Sequence, residues 1–90
     1  MDVRQLRYFL SVARCGSFSR AAVELNIAQP ALSHHVANLE AELGVKLFER
    51  STKGVTATEC GETLMRHSEK ILRQMAKAAL DVKITSAQPS

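Results

Sequence analysis

No run of apolar residues approaches the roughly 20 that a membrane-spanning helix requires, and the opening Met1-Asp2-Val3-Arg4 has no apolar core of a secretion signal. Cysteine is scarce: Cys15 and Cys60 are the only two in 90 residues. That excludes a disulfide framework and reads as two small buried or half-buried thiols in a reducing cytoplasm. Enzyme signatures are missing as well. There is no glycine-rich phosphate loop, no Cys-x-x-Cys, and no nucleophile with a base and an orienting acid. Ser33 beside His34 is no hydrolase pair, because adjacent helical side chains diverge by about 100°. The same divergence keeps His34 and His35 from sharing one ion, and His67 is the only other histidine. No catalytic residue, cofactor or metal site is therefore expected. Internal repeats are also absent.

One further absence is local: no Asp or Glu occurs between Leu25 and Leu39, and acid returns at Glu40 and Glu42. A surface that faces phosphates needs such a stretch, although a neutral loop would look the same. The formal charge of +3 and pI near 9.2 lean mildly toward anionic partners.

What is present is enough for one domain. Ninety residues, 46% of them hydrophobic, can fold but bury only a modest core. From Val3 to Cys15 the residues Leu6, Phe9, Leu10 and Ala13 recur at helical spacing, and Gly16 ends the pattern. Ser17 or Ser19 can cap a short second helix whose face is Phe18, Ala21, Ala22 and Leu25, and which ends near Asn26. Ile27-Ala28-Gln29-Pro30 turns into a third helix, with proline in its first turn. Leu32, Val36, Leu39 and Leu43 mark its buried stripe, and Gly44 stops it. Two short helices with a tight connection form a helix-turn-helix, and the small Ala21 and Ala22 permit close approach.

Beyond Gly44 the pattern changes. Apolar Val45, Leu47, Phe48 and Val55, Ala57 flank Arg50-Ser51-Thr52-Lys53-Gly54, which reads as a β-hairpin, or wing. Thr58 can cap a last, long helix with Glu59 and Glu62 at its positive end. Leu64, Ser68, Ile71, Met75, Ala78 and Val82 follow a heptad seam, widened by Leu72 and Ala79. Glu62 with Arg66, and Glu69 with Arg73, stand in the favourable (i, i+4) order. This helix is longer than the core can cover, so half of it is expected to meet a second copy. The expected fold is mainly α: a winged helix-turn-helix of three helices and a two-stranded hairpin (residues 1–58), a linker helix (59–85) and a disordered tail (86–90).

On a wheel of about 100° per residue, the face of the third helix opposite its stripe carries Pro30, Ser33, His34, Ala37 and Asn38, with Gln29 at the N-terminal rim. These groups are slim and rich in hydrogen-bonding atoms, as reading base edges in a major groove requires. Gln29 can pair with adenine, Ser33 with several bases or a phosphate, and Pro30 and Ala31 can pack on a thymine methyl. His35 lies at the edge of the stripe. On the wing, Lys53 in the turn is placed for phosphate or minor groove, whereas Arg50 either does the same or braces the hairpin through backbone carbonyls. A winged helix can also serve protein contact alone, so that reading stands beside double-stranded DNA binding.

The motifs Arg4-Gln5-Leu6-Arg7-Tyr8-Phe9, Gly16-Ser17-Phe18-Ser19-Arg20-Ala21-Ala22, Ala28-Gln29-Pro30-Ala31-Leu32-Ser33, Leu47-Phe48-Glu49-Arg50 and Gly54-Val55-Thr56, with Thr58 and Gly61, together resemble the N-terminal region of LysR-type transcriptional regulators. Ala28 to Ser33 and Arg73-Gln74 are similar to the nitrogen-assimilation regulators within that family. The resemblance implies a DNA-binding head whose linker helix pairs antiparallel with a second subunit, with tetramers open to the full-length parent. It carries base and phosphate contacts onto Gln29, Pro30, Ala31, Ser33, His34 and Lys53. His34 departs from the family, which often has Arg or Lys there. The family also carries a larger C-terminal effector-binding domain, the expected seat of a small-molecule inducer, which these residues do not include.

Overall fold

The computed structural model describes residues 1–88. Four helices and one hairpin follow in chain order: α1 (Val3–Cys15), α2 (Phe18–Leu25), α3 (Gln29–Leu43), β1 (Phe48–Ser51), β2 (Gly54–Ala57) and α4 (Glu59–Ala87). This is the mainly helical winged helix-turn-helix with a long last helix that the sequence predicts.

Local chemistry accounts for the helix boundaries. Asp2 accepts from the Gln5 backbone N–H while the Gln5 side chain accepts from the Asp2 N–H, a capping box at the start of α1. Of the two serines that can open α2, Ser17 does so, accepting from the Arg20 N–H at 3.2 Å. Asn26 ends α2 in the left-handed conformation, φ 55°. That sharp reversal, closed by Ile27 N–H donating to the Ala22 carbonyl at 3.1 Å, brings α3 back across α2. Thr58 caps α4 by accepting from the Gly61 N–H at 3.0 Å.

The core lies where α1, α2 and α3 meet. Phe9, Val12, Phe18, Ala21, Ala22, Leu32, Val36 and Leu39 are buried there, closed from the wing side by Leu47 and Phe48. Phe48 packs against Phe9 and Phe18 with ring centroids 5.2 and 5.9 Å apart. Ala21 is fully buried and Ala22 nearly so, as a close α2–α3 approach requires. Leu43, expected in the buried stripe, is 39% exposed, because it ends α3 one turn beyond Leu39.

The hairpin is antiparallel, in the register Phe48↔Ala57 to Ser51↔Gly54, so Thr52 and Lys53 form its turn. Two close approaches fix it to the body. Val55 N–H donates to the Gly16 carbonyl at 3.0 Å. At Gly61, a Cβ would collide with the Leu47 carbonyl, so α4 can start against the β1 entry only with glycine there.

The first half of α4 packs on α1 and β2, burying Gly61 and Ser68 and half-burying Leu64, Met65 and Leu72. From Arg73 to Ala87 every residue is exposed, and the molecule measures 58 × 25 × 20 Å. Ser86 and Ala87, read from sequence as the start of a tail, are helical; residues 89–90 of that tail lie outside the described residues. Neither (i, i+4) pair closes. Arg66 donates instead to Thr63 Oγ1 at 3.4 Å, and exposed ion pairs gain little in water. Cys15 is half-buried, as expected, but Cys60 is exposed, because the adjacent Gly61 takes the inward side of the first turn of α4. The Cys15 thiol donates to Glu24 Oε2 at 2.7 Å, and that bond, with partial desolvation and the carboxylate's charge, pushes its pKa up.

Candidate nucleic-acid interface

The exposed face of α3 is built as the wheel requires. With Leu32, Val36 and Leu39 inward, Pro30, Ala31, His34, Ala37, Asn38 and Ala41 are all exposed. The centre of this face is His34 flanked by proline and alanines, so few bulky side chains stand between the helix backbone and a ligand. Ser33 lies at the flank and is half-buried. His35 is also half-buried, its ring edge-on to Tyr8 with centroids 5.0 Å apart. His34 is left to face outward alone.

The start of α3 is unusual for having no side-chain cap: Ala28 occupies the N-cap position and Pro30 supplies no N–H. The positive end of the helix is thus left open to an external acceptor. Gln29 is exposed, and its Oε1 accepts from Ser19 Oγ at 3.1 Å.

The two acids that follow on α3 are both engaged elsewhere. Glu40 Oε2 accepts from the Leu47 N–H at 2.7 Å, pinning the chain that enters the wing. Glu42 accepts from the Met1 amino group. In the sequence these residues mark only the end of the acid-free stretch. Their partners are set by tertiary approach, 7 and 41 residues apart in the chain.

On the wing, Lys53 sits exposed in the turn, its N–H donating to Ser51 Oγ at 3.2 Å. Of the two readings of Arg50, bracing of the hairpin through backbone carbonyls is not seen among the described residues. Its guanidinium lies 4.2 Å from the centroid of the Phe18 ring, stacked on the first residue of α2. Among the described residues it donates to no carbonyl, so its N–H groups stay available while its position is fixed. A groove bounded by Phe18, Ala37, Glu40, Phe48, Glu49 and Arg50 separates α3 from the wing. The structure therefore brings Gln29, Ala31, His34 and Asn38 onto one helix, with Arg50 and Lys53 across a groove from it.

The seam on α4 divides. Leu64 packs on the core and Ser68 is fully buried, so both belong to the chain's own interior, and Leu72 is half in it. Ile71, Met75 and Val82 are 39%, 44% and 66% exposed, and Ala78 and Ala79 are exposed with them. Leu80 and Ile84, also exposed, fall roughly opposite this seam at about 100° per residue and were missed by the heptad count. Among the described residues no helix is long and apolar enough to cross a membrane.

A third helix with no side-chain cap and no acid before Glu40, flanked by a basic-tipped hairpin on a helix-turn-helix core, defines a winged helix-turn-helix protein. Residues 3–62 match the family model described as bacterial regulatory helix-turn-helix protein, lysR family, and the chain belongs to that family. The nitrogen assimilation regulatory protein nac of Klebsiella aerogenes is 48% identical over 82 residues, covering 91% of this chain and 27% of that protein. The transcriptional regulator BudR of Klebsiella aerogenes is 48% identical over 81 residues, covering 90% of this chain and 56% of that protein. This chain thus spans about a quarter to a half of the length of these relatives. Among solved structures, the BenM DNA-binding domain in complex with catB site 1 DNA superposes with a TM-score of 0.95 at 37% identity, covering 100% of both chains. The LysR family regulator CbnR superposes with a TM-score of 0.87 at 35% identity, covering 92% of this chain and 29% of that one.

Proposed function

We propose that this chain is the DNA-reading head of a bacterial transcription regulator and binds double-stranded DNA sequence-specifically as a dimer. The observation that carries the reading is the outer face of α3, which is slim, polar, free of acid and uncapped at its N-terminus, with Glu40 and Glu42 engaged away from it. A major groove admits such a helix. Gln29, Pro30, Ala31, Ser33, His34 and Asn38 then face base edges and the phosphates beside them, while Arg50 and Lys53 meet the backbone or minor groove. The relatives are named as a nitrogen assimilation regulatory protein and an HTH-type transcriptional regulator, and the BenM domain was solved on DNA. Their role is non-enzymatic, and we assign this chain no reaction and a cytoplasmic site of action.

Dimerisation rests on the uncovered half of α4. Ile71, Met75, Ala78 and Val82 continue the stripe that Leu64 and Ser68 begin, and a second copy of the same helix offers a matching seam. The response to an inducer belongs to a larger effector-binding domain of the whole protein.

Selection from random duplex DNA, followed by gel shifts of the enriched sequence at rising salt, tests the reading. Two related half-sites and an affinity that falls steeply with salt are expected. No retained duplex even at low salt would leave a winged helix used only for protein contact.

A further inference from the structure

We infer that Ser19 is a positioning residue for base readout: its hydroxyl holds the Gln29 amide in the orientation that pairs with adenine. The inference rests on the DNA-binding reading above. Ser19 and Gln29 are ten residues apart, on the first turns of α2 and α3. The left-handed Asn26 and the Ile27–Ala22 hydrogen bond fold the second of these turns back over the first. Ser19 Oγ then donates to Gln29 Oε1 at 3.1 Å. Ser17 already caps α2, so the Ser19 hydroxyl has no local duty. Ala28 and Pro30, the neighbours of Gln29, have no side-chain group that competes for its amide.

The chemistry of the amide gives this contact a consequence. A glutamine oxygen has two lone pairs and its nitrogen two protons. Ser19 occupies one lone pair. The other, with both N–H donors, remains for adenine, which donates from N6 and accepts at N7. A flipped amide would turn the Ser19 hydroxyl into an acceptor and leave its proton without a protein partner. An unrestrained glutamine would lose its rotamer freedom on binding and could present either end to the groove. Ser19 thereby acts on sequence preference without touching a base.

The test uses the selected operator and a set of variants with each base pair exchanged in turn. Binding is measured for the wild type, Ser19→Ala, Ser19→Thr, Gln29→Ala and the Ser19→Ala/Gln29→Ala double variant. Gln29→Ala identifies the base pair that Gln29 reads. Ser19→Ala should lose about threefold to tenfold of the discrimination at that pair alone, the worth of one exposed neutral hydrogen bond. Its salt slope should not change, Ser19→Thr should restore discrimination, and the double variant should be no worse than Gln29→Ala. An equal loss on every operator variant with a shallower salt slope would make Ser19 a phosphate contact and overturn the inference. Additive losses in the double variant would overturn it too. A wild type that selects no sequence removes the DNA reading itself, and that outcome is visible before any variant is made.

Discussion

Gly54 of the wing and Gly16 at the end of α1 touch so closely that a Cβ on Gly54 would overlap the Gly16 carbonyl oxygen. Gly54 also sits at φ 126°, a region that L side chains rarely adopt. The adjacent Val55 N–H donates to that same carbonyl. The wing is thus clamped to the helical body through backbone alone at this point. Gly54→Ala should cost about 1–3 kcal/mol in urea unfolding, from strain and loss of the clamp. Lys53→Ala, one residue away in the exposed turn, should change stability by less than about 0.5 kcal/mol while weakening DNA binding. Equal stability losses for both would mean the contact does not hold the wing.

Ser68 is fully buried on α4 and its hydroxyl has no hydrogen-bond partner among the described residues. A buried hydroxyl without a partner costs free energy, and alanine is a better helix former of nearly the same size. Ser68→Ala should raise the unfolding free energy by about 1 kcal/mol. Ser68→Leu should lower it, since a fully buried site has no room for the larger side chain. Calorimetric or urea midpoints check both signs, and a destabilised alanine variant would contradict the packing described.

His34 stands at the centre of the outer face of α3 with no charged partner among the described residues. A guanidinium carries a permanent charge and a fork of N–H donors that matches a phosphate, which an imidazole lacks. His34→Arg should tighten operator binding and add about 1 to the slope of log affinity against log salt, as one more phosphate contact does. Titrations of both proteins at several salt concentrations read the slope directly. An unchanged slope would remove His34 from the phosphate-facing set.

Ile71 and Met75 are 39% and 44% exposed in the single chain, on either side of the half-buried Leu72. Replacing both by Lys places two like charges in the seam between paired helices, so sedimentation should report a monomer. Helical content should be retained, because these residues contribute little to the core. A variant that still sediments as a dimer would move the interface elsewhere, with the opposite face at Leu80 and Ile84 the next place to look.

Much of this architecture is written locally. Asp2, Ser17, Asn26, Pro30 and Gly44 each act within a few residues of themselves, through caps and left-handed turns whose chemistry does not depend on the rest of the chain. The periodic Leu32, Val36 and Leu39 fix which side of α3 turns inward, and so which side is offered outward. The exposure of Leu43 was not legible in that period, because a helix pattern does not say where its neighbours end.

Amino-acid order alone thus determined the helices, the hairpin and the acid-free outer face of α3, since helical period and capping operate over one or two turns. Tertiary structure decided what distance in the chain conceals. It laid Arg50 over Phe18, joined Ser19 to Gln29, and drew Glu40 and Glu42 away from the outer face of α3. It also divided one apolar stripe on α4 between the chain's own core and its exposed half. The reason is the same in each case: a side chain's partner depends on which elements meet, and that follows from packing the whole core rather than from any local run of residues.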